Sequence, residues 1–185
     1  MAKNVYYAAM SLDGYISEPE EELTWLTEFD GPGYAGSDDA GGALDDIKRF
    51  VAGVGAIVMG SRTYEFLRKH GQWPYEERPS WVLSSRELEP MDAPDLRFAS
   101  GDVADLDAEI REAAGDGDVW VLGGGDVASQ YVSAGLLDIV EVTVVPVILG
   151  DGFPLFTESI AAPMRLLKVT PFDSGMTGLR YEIVK

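Results

Sequence analysis

Short apolar runs, set off by glycine, proline and aspartate, recur along the chain. They alternate with stretches whose apolar residues fall at helical spacing. Val5 to Met10 is apolar and aromatic and stops at Asp13-Gly14, which predicts a buried strand. Within Glu18 to Phe29, Leu23, Leu26 and Phe29 share one helical face. Asp30 to Gly42 holds five glycines, one proline and three aspartates, and it reads as a flexible surface loop; too little chain precedes it to form a separate domain. Leu44, Ile47, Phe50 and Val51 predict a helix over Ala43 to Ala52, Val54 to Met59 a strand, and Ser61 to Lys69 a short helix opened by Gly60. Trp81 to Leu83 is the core of a further strand. Asp102 to Ala114 is a helix with Val103, Leu106 and Ile110 inward and Gly115 as its stop. Val119 to Leu122 is a strand, and Gly123-Gly124-Gly125 leads from it into a helix over Asp126 to Ala134. Asp138 to Leu149 is a β-rich run interrupted by Pro146. Met164 to Phe172 and Leu179 to Val184 flank Asp173-Ser174-Gly175 as a closing hairpin. Strands alternating with helices, then a β-rich end, predict an α/β sheet with a late antiparallel portion.

The length of 185 residues fits one domain, with enough core to need no disulfide or metal staple. There is no cysteine and one histidine, His70, which excludes thiolate chemistry and disfavours Ser-His and multi-histidine metal sites. The net charge of −18 disfavours nucleic acid and anionic membranes as partners. The first residues run straight into the Val5 strand without a signal-like apolar region, so a cytoplasmic protein is expected.

Three strand ends meet small or polar residues: Met59-Gly60-Ser61-Arg62-Thr63, Leu83-Ser84-Ser85-Arg86 and Leu122-Gly123-Gly124-Gly125-Asp126. Taken singly, each reads as a tight turn after a strand. Together they suggest a phosphate-bearing ligand. In an open α/β sheet ligands gather outside the carboxyl ends of strands, glycine admits them to the backbone, and helix starts attract phosphate. Arg62 and Arg86 supply cations in an otherwise acidic chain. Gly123 to Ala128 also fits G-x-G-x-x-A, but it lies too near the C-terminus for a doubly wound dinucleotide domain.

These residues carry a resemblance over nearly the whole chain. In order they are Ser11-Leu12-Asp13-Gly14-Tyr15-Ile16, Met59 to Tyr64, Leu83 to Arg86, and Gly123 to Asp126. The chain resembles the dihydrofolate reductase-like superfamily, and within it the stand-alone proteins similar to the C-terminal reductase domain of the bifunctional riboflavin-biosynthesis deaminase-reductase. The resemblance implies a three-layer α/β fold, with a central mixed sheet of about eight strands and flanking helices, and NADPH lying across the strand ends. It implies that the backbone of Ala9 and Ile16 holds the nicotinamide carboxamide. Gly60, Ser61, Arg62 and Thr63 would receive the phosphates. Ser84, Ser85 and Arg86 would surround the adenine-side ribose and its 2′-phosphate, and Gly123, Gly124, Gly125, Asp126 and Val127 would form the pyrophosphate loop.

On the substrate side, Glu22-Leu23-Thr24-Trp25-Leu26 resembles the helix that bears the substrate-binding carboxylate of dihydrofolate reductases, with Glu22 on that position, Trp25 beside it and Thr143 as the supporting threonine. Glu22 also ends the acidic run Glu18 to Glu22, which reads equally well as a solvated face. The Trp-Pro start of a folate enzyme's substrate loop is absent. So is the Ala-Asp-Asp-Pro stretch of the riboflavin reductases, where Tyr64-Glu65-Phe66 stands instead. Asp13 reads as a turn residue, His70 as a solvated loop residue, and Tyr6, Tyr7, Trp25 and Tyr64 as core aromatics before ring-pocket residues.

The resulting expectation is an NADPH-dependent oxidoreductase of a small heteroaromatic or pterin-like compound. The nearest family activity is reduction of 5-amino-6-(5-phosphoribosylamino)uracil. Dihydrofolate reduction, a non-catalytic nucleotide-binding module and a plain α/β domain without a nucleotide site are the rivals. A homodimer is expected, with the apolar run Val140 to Leu149 as the subunit contact.

Overall fold

The computed structural model describes residues 2–20, 23–29, 42–71, 73–75, 78–159, 161 and 163–185. Glu22 and nearly all of the glycine-rich stretch from Asp30 lie outside the described residues. The strands are β1 (Asn4–Ser11), β2 (Tyr15–Ser17), β3 (Val54–Gly60), β4 (Ser80–Leu83), β5 (Leu96–Ala99), β6 (Asp118–Gly123), β7 (Ile139–Val145), β8 (Phe153–Pro154), β9 (Met164–Pro171) and β10 (Thr177–Ile183). The helices are α1 (Thr24–Thr27), α2 (Ala43–Ala52), α3 (Ser61–Lys69), α4 (Val103–Ala114) and α5 (Gly125–Ser133).

An eight-stranded sheet runs β5-β4-β3-β6-β1-β7-β10-β9, and β2 pairs with β8 as a separate two-stranded ribbon. Neighbours from β5 through β7 are parallel; β10 is antiparallel to both β7 and β9. This is the expected mixed sheet with its late antiparallel part. Because side chains alternate across a strand, each strand feeds both faces. Tyr6, Val58, Trp81, Val121 and Val142 meet Val103 and Ile110 of α4 and Val127 and Tyr131 of α5 on one face. Tyr7, Ile57, Met59, Val82 and Trp120 meet Ile47 and Phe50 of α2 and Tyr64 and Leu67 of α3 on the other. Trp25 of α1 joins Val145, Phe172 and Met176 in a third cluster beside Ala9.

Two glycines let the bottom of the sheet close. A Cβ on Gly55 would stand 2.1 Å from the Ala114 carbonyl oxygen, and one on Gly117 would stand 2.6 Å from the Gly55 nitrogen. The chain register shifts between Val54 and Ala56, which keeps Val54 on the α2 face with Ile57. Below α4, Asn4 donates to Asp107 at 2.6 Å, and Arg111 donates to Asp107 at 2.8 Å and Asp138 at 3.2 Å, a network that ties the first strand to α4 and the start of β7.

The structure also differs from the sequence reading. β5, β2 and β8 are additional strands, and the helix expected within Glu18 to Phe29 is a single turn, α1. Within the run Val140 to Leu149, Val140, Val142 and Val145 are buried inside this chain, between β1 and β10, whereas Ile148 after the strand is exposed. Among the described residues no helix is long and apolar enough to cross a membrane.

Candidate functional site

After β3 the chain enters α3 on one face of the sheet; after the neighbouring β6 it enters α5 on the other. Adjacent parallel strands whose following helices go to opposite faces leave a crevice at their carboxyl ends. The first and third glycine motifs line it. Gly60 is the N-cap of α3 and Gly124 the N-cap of α5, and neither helix start is capped by a side chain. The two starts nearly touch: a Cβ on Gly60 would lie 3.2 Å from Val127 Cγ2 and 3.8 Å from the Gly124 nitrogen. Uncapped first-turn N–H groups and two converging helix dipoles favour an anion there.

The glycines of the third motif have separate reasons. Gly123 has φ +146°, and a Cβ there would be 3.2 Å from Thr63 Oγ1. The Gly123–Gly124 peptide is cis. Gly125 lies against β8, where a Cβ would stand 2.5 Å from the Pro154 carbonyl oxygen. A Cβ on Gly124 would meet nothing within 4 Å. Gly124 therefore faces open space between two helix starts, a cradle that a side chain would fill. Asp126 lies on the exposed side of α5 and accepts from Gln130 Nε2 at 2.9 Å, so only its backbone faces the crevice.

The second motif sits one strand over. Arg86 Nη2 donates to Ser61 Oγ at 3.0 Å and to Glu65 Oε2 at 2.8 Å, which joins the β4 loop to α3. The Ser84 hydroxyl is engaged inside its own turn, accepting from the Arg86 nitrogen at 3.0 Å. Ser85 is exposed. Arg62 turns away from this cluster: its guanidinium lies 4.7 Å above the Phe153 ring of β8.

Ala9 and Thr143 are cross-strand partners on β1 and β7, facing α2, with Gly178 of β10 next in the same row. Thr143 and Gly178 of this row line a tight surface depression with Tyr7, Asp46, Glu141 and Arg180, which has no room for a water molecule as the side chains stand. One pleat deeper stands a row of polar partners, Tyr7, Glu141, Arg180 and Lys168. The Tyr7 hydroxyl lies 3.2 Å from Thr143 Oγ1, Arg180 pairs with Glu141, and Lys168 Nζ lies 3.8 Å from Asp46 of α2. The Glu141 and Asp46 side chains are only 13% and 15% exposed. Burial raises the Glu141 carboxyl above its ordinary value, with Asp46 adding to the shift and Arg180 opposing it. Burial likewise pushes the Tyr7 phenol up to about 12. Trp25 borders this region through Ala9, and its buried indole N–H has no hydrogen-bond partner among the described residues.

Ile16 lies on β2, which the β8 pairing and a Leu155 N–H to Gly14 carbonyl bond of 2.9 Å hold over the crevice side. Asp13 does more than shape its turn. It accepts from Ser11 Oγ at 2.7 Å and from the Leu149 and Gly150 N–H groups at 3.1 and 2.7 Å, fastening the β1 loop to the loop after β7. The Ser11 bond leads the effects that hold its carboxyl below the ordinary value. His70 closes the C-terminus of α3, with Nδ1 2.7 Å from the Phe66 carbonyl oxygen, and Tyr6 and Tyr64 are core.

The structure thus brings Gly60, Ser61, Thr63, Gly123, Gly124 and Val127 together, sets Ser84 and Arg86 beside Ser61, and sends Arg62 to Phe153. Glu22 lies outside the described residues, and the carboxylates beside Thr143 are Asp46 and Glu141. Glu141 had a legible signal, a lone acid inside the apolar run Ile139 to Val145; Asp46, next to exposed Asp45, had none.

Residues 67–177 match the model of the RibD C-terminal domain. The Bacillus subtilis protein YwjB is 29% identical over 157 residues, covering 84% of this chain and 83% of its own length. A crystal structure from Shewanella sp. PV-4, of a protein provisionally named for riboflavin biosynthesis, superimposes over 100% of both chains with TM-score 0.80 and 26% identity. Dihydrofolate reductase from Enterococcus faecalis, solved with NADP(H), shares the fold at TM-score 0.65 and 16% identity, over 99% of this chain and 97% of that one.

Proposed function

The chain belongs to the RibD C-terminal domain family, and on that premise we propose that it is an NADPH-dependent reductase of a small pyrimidine or pterin-like ring. Gly124 carries the reading: two uncapped helix starts meet at the β3/β6 crevice, and the space a side chain would fill stands open between them. The NADP(H) held by the Enterococcus enzyme of the same fold supports the choice of cofactor. The nearest family activity is reduction of 5-amino-6-(5-phosphoribosylamino)uracil, an activity named for a Thermotoga maritima protein that shares this fold.

When bound, NADPH supplies the hydride. The chain's own residues do the rest. Gly60 to Thr63 and Gly123 to Gly125 offer backbone N–H groups to the pyrophosphate. Arg86, Ser61 and Ser85 would receive the 2′-phosphate. The backbone of Ala9 and Ile16 would hold the carboxamide, beside the floor formed by Thr143 and Gly178. The Thr143 hydroxyl, the Asp46 carboxylate and the Trp25 N–H, which has no partner among the described residues, would grip the polar edge of the substrate ring. Glu141, whose carboxyl burial raises against the opposing pull of Arg180, is the candidate proton donor beside that floor.

The test is NADPH oxidation followed against a panel of ribosylaminopyrimidines and pterins. Turnover of at least one ring supports the reductase reading. Saturable NADPH binding without turnover of any member would make the chain a nucleotide-binding module, and no binding would leave a plain α/β domain.

A further inference from the structure

We propose that Glu65 sets the choice between phosphorylated and unphosphorylated dinucleotide at this site. It competes with the 2′-phosphate for Arg86, and it accepts from the free ribose 2′-hydroxyl when no phosphate is present. The inference rests on the assignment of the Ser84 to Arg86 loop to the adenine-side ribose.

An arginine alone at the end of β4 would favour the phosphate. Here the guanidinium is already shared, with Nη2 3.0 Å from Ser61 Oγ and 2.8 Å from Glu65 Oε2. Ser61 and Glu65 stand four residues apart on α3, hence on one helical face, and both point at the same nitrogen. The Ser84 hydroxyl is held within its own turn by the Arg86 N–H at 3.0 Å and the Arg86 carbonyl at 3.3 Å. The cluster therefore presents one cation, one anion, the Ser61 hydroxyl and the exposed Ser85.

An ionised carboxylate only accepts hydrogen bonds. A ribose 2′-hydroxyl can donate to it, whereas a 2′-phosphate with roughly two negative charges near neutral pH cannot and is repelled. A carboxylate on the 2′-hydroxyl marks sites for the unphosphorylated dinucleotide, and an arginine marks sites for the phosphorylated one. This site holds both. With Arg86 57% and Glu65 37% exposed, their ion pair is weak, and an incoming phosphate can part it. The two residues then act as opposed arms, and the native preference for NADPH is narrower than Arg86 alone would give.

The experiment measures the dissociation constants of NADPH and NADH by calorimetry for the wild type, Glu65→Gln and Arg86→Ala. Glu65→Gln is expected to tighten NADPH about fivefold, the worth of removing one exposed like charge. NADH should stay level or weaken, so the preference widens. Arg86→Ala should weaken NADPH and leave NADH nearly unchanged. Glu65 is partly exposed and its glutamine keeps the shape, so both variants should keep the native melting profile; Glu65→Ala provides a second reading of the same direction. If Arg86→Ala discriminates while both Glu65 variants leave the NADPH/NADH ratio unchanged, the site stands and the role of Glu65 falls. If Arg86→Ala weakens both nucleotides equally, or neither nucleotide binds the wild type, the site assignment and the role of Glu65 fall together.

Discussion

Gly125→Ala places a methyl group where the structure leaves no room, and its cost can be worked from the contacts. The new Cβ would stand 2.5 Å from the Pro154 carbonyl oxygen and 2.8 Å from that of Leu155. Relief to ordinary contact moves the 153–155 segment by roughly 1 Å, an overpacking cost of about 1–3 kcal/mol. The Leu155 carbonyl also accepts from the hydroxyl of fully buried Tyr6 at 3.0 Å. Losing that bond leaves a buried donor unpaired and adds about 1–3 kcal/mol. Alanine's better helix propensity returns at most about 1 kcal/mol. The net loss is about 3 kcal/mol, read from the urea midpoint at constant slope. Because β8 carries the pairing of β2 and hence of Ile16, NADPH affinity should fall in the same variant. A loss below about 0.5 kcal/mol would refute the account of Gly125 as a close-approach glycine.

Further outcomes follow from the same contacts. Thr143→Val keeps the shape but leaves the Tyr7 hydroxyl without its 3.2 Å partner; it should cost about 1–3 kcal/mol in chemical denaturation and lower turnover more than NADPH affinity. Glu141→Gln should lower turnover with NADPH affinity nearly intact, and steady-state kinetics should show that the wild type's fall in activity as pH rises through the raised Glu141 value is lost in the variant; a loss confined instead to Glu22→Gln would return the proton-donating role to the acidic run. For Asp138, burial raises the carboxyl, but hydrogen bonds from Lys185, the Asn4 N–H and Arg111 outweigh it, and the net shift is downward. Its contribution is therefore complete above the ordinary aspartate value and is lost as pH falls through the depressed folded value. Melting temperatures across the acid range should drop steeply in the wild type and less steeply in Asp138→Asn.

Local patterns carried most of the fold. The apolar β1, β3 and β6 and the amphipathic α2 and α4 announce themselves within a few residues, and their boundaries agree with the structure to within about two positions. β5 escaped because four residues, Leu96-Arg97-Phe98-Ala99 at the sheet edge, are too few to show a period, and β2 and β8 because three- and two-residue strands have none to read. In the site, the glycine motifs and Arg86 were visible because strand-end chemistry is local. The pairs that define their surroundings are not local. Glu141 meets Arg180 39 positions away, Glu65 meets Arg86 at 21, and Asp13 reaches Gly150 at 137. Only the fold joins such residues, so Glu65 looked like part of a helix surface and Asp13 like a turn residue. Gly125 belongs to the same class: its need for glycine comes from β8, far along the chain.

The central claim is that NADPH binds at the β3/β6 crevice, across the open face of Gly124. Calorimetric titration of the wild type and Gly124→Ala with NADPH tests it directly. The account predicts one saturable site per chain in the wild type and at least tenfold weaker binding in Gly124→Ala, a change of about 1.4 kcal/mol or more. Absence of saturation in the wild type at about a millimolar of NADPH, or equal affinity in a folded Gly124→Ala, would contradict it.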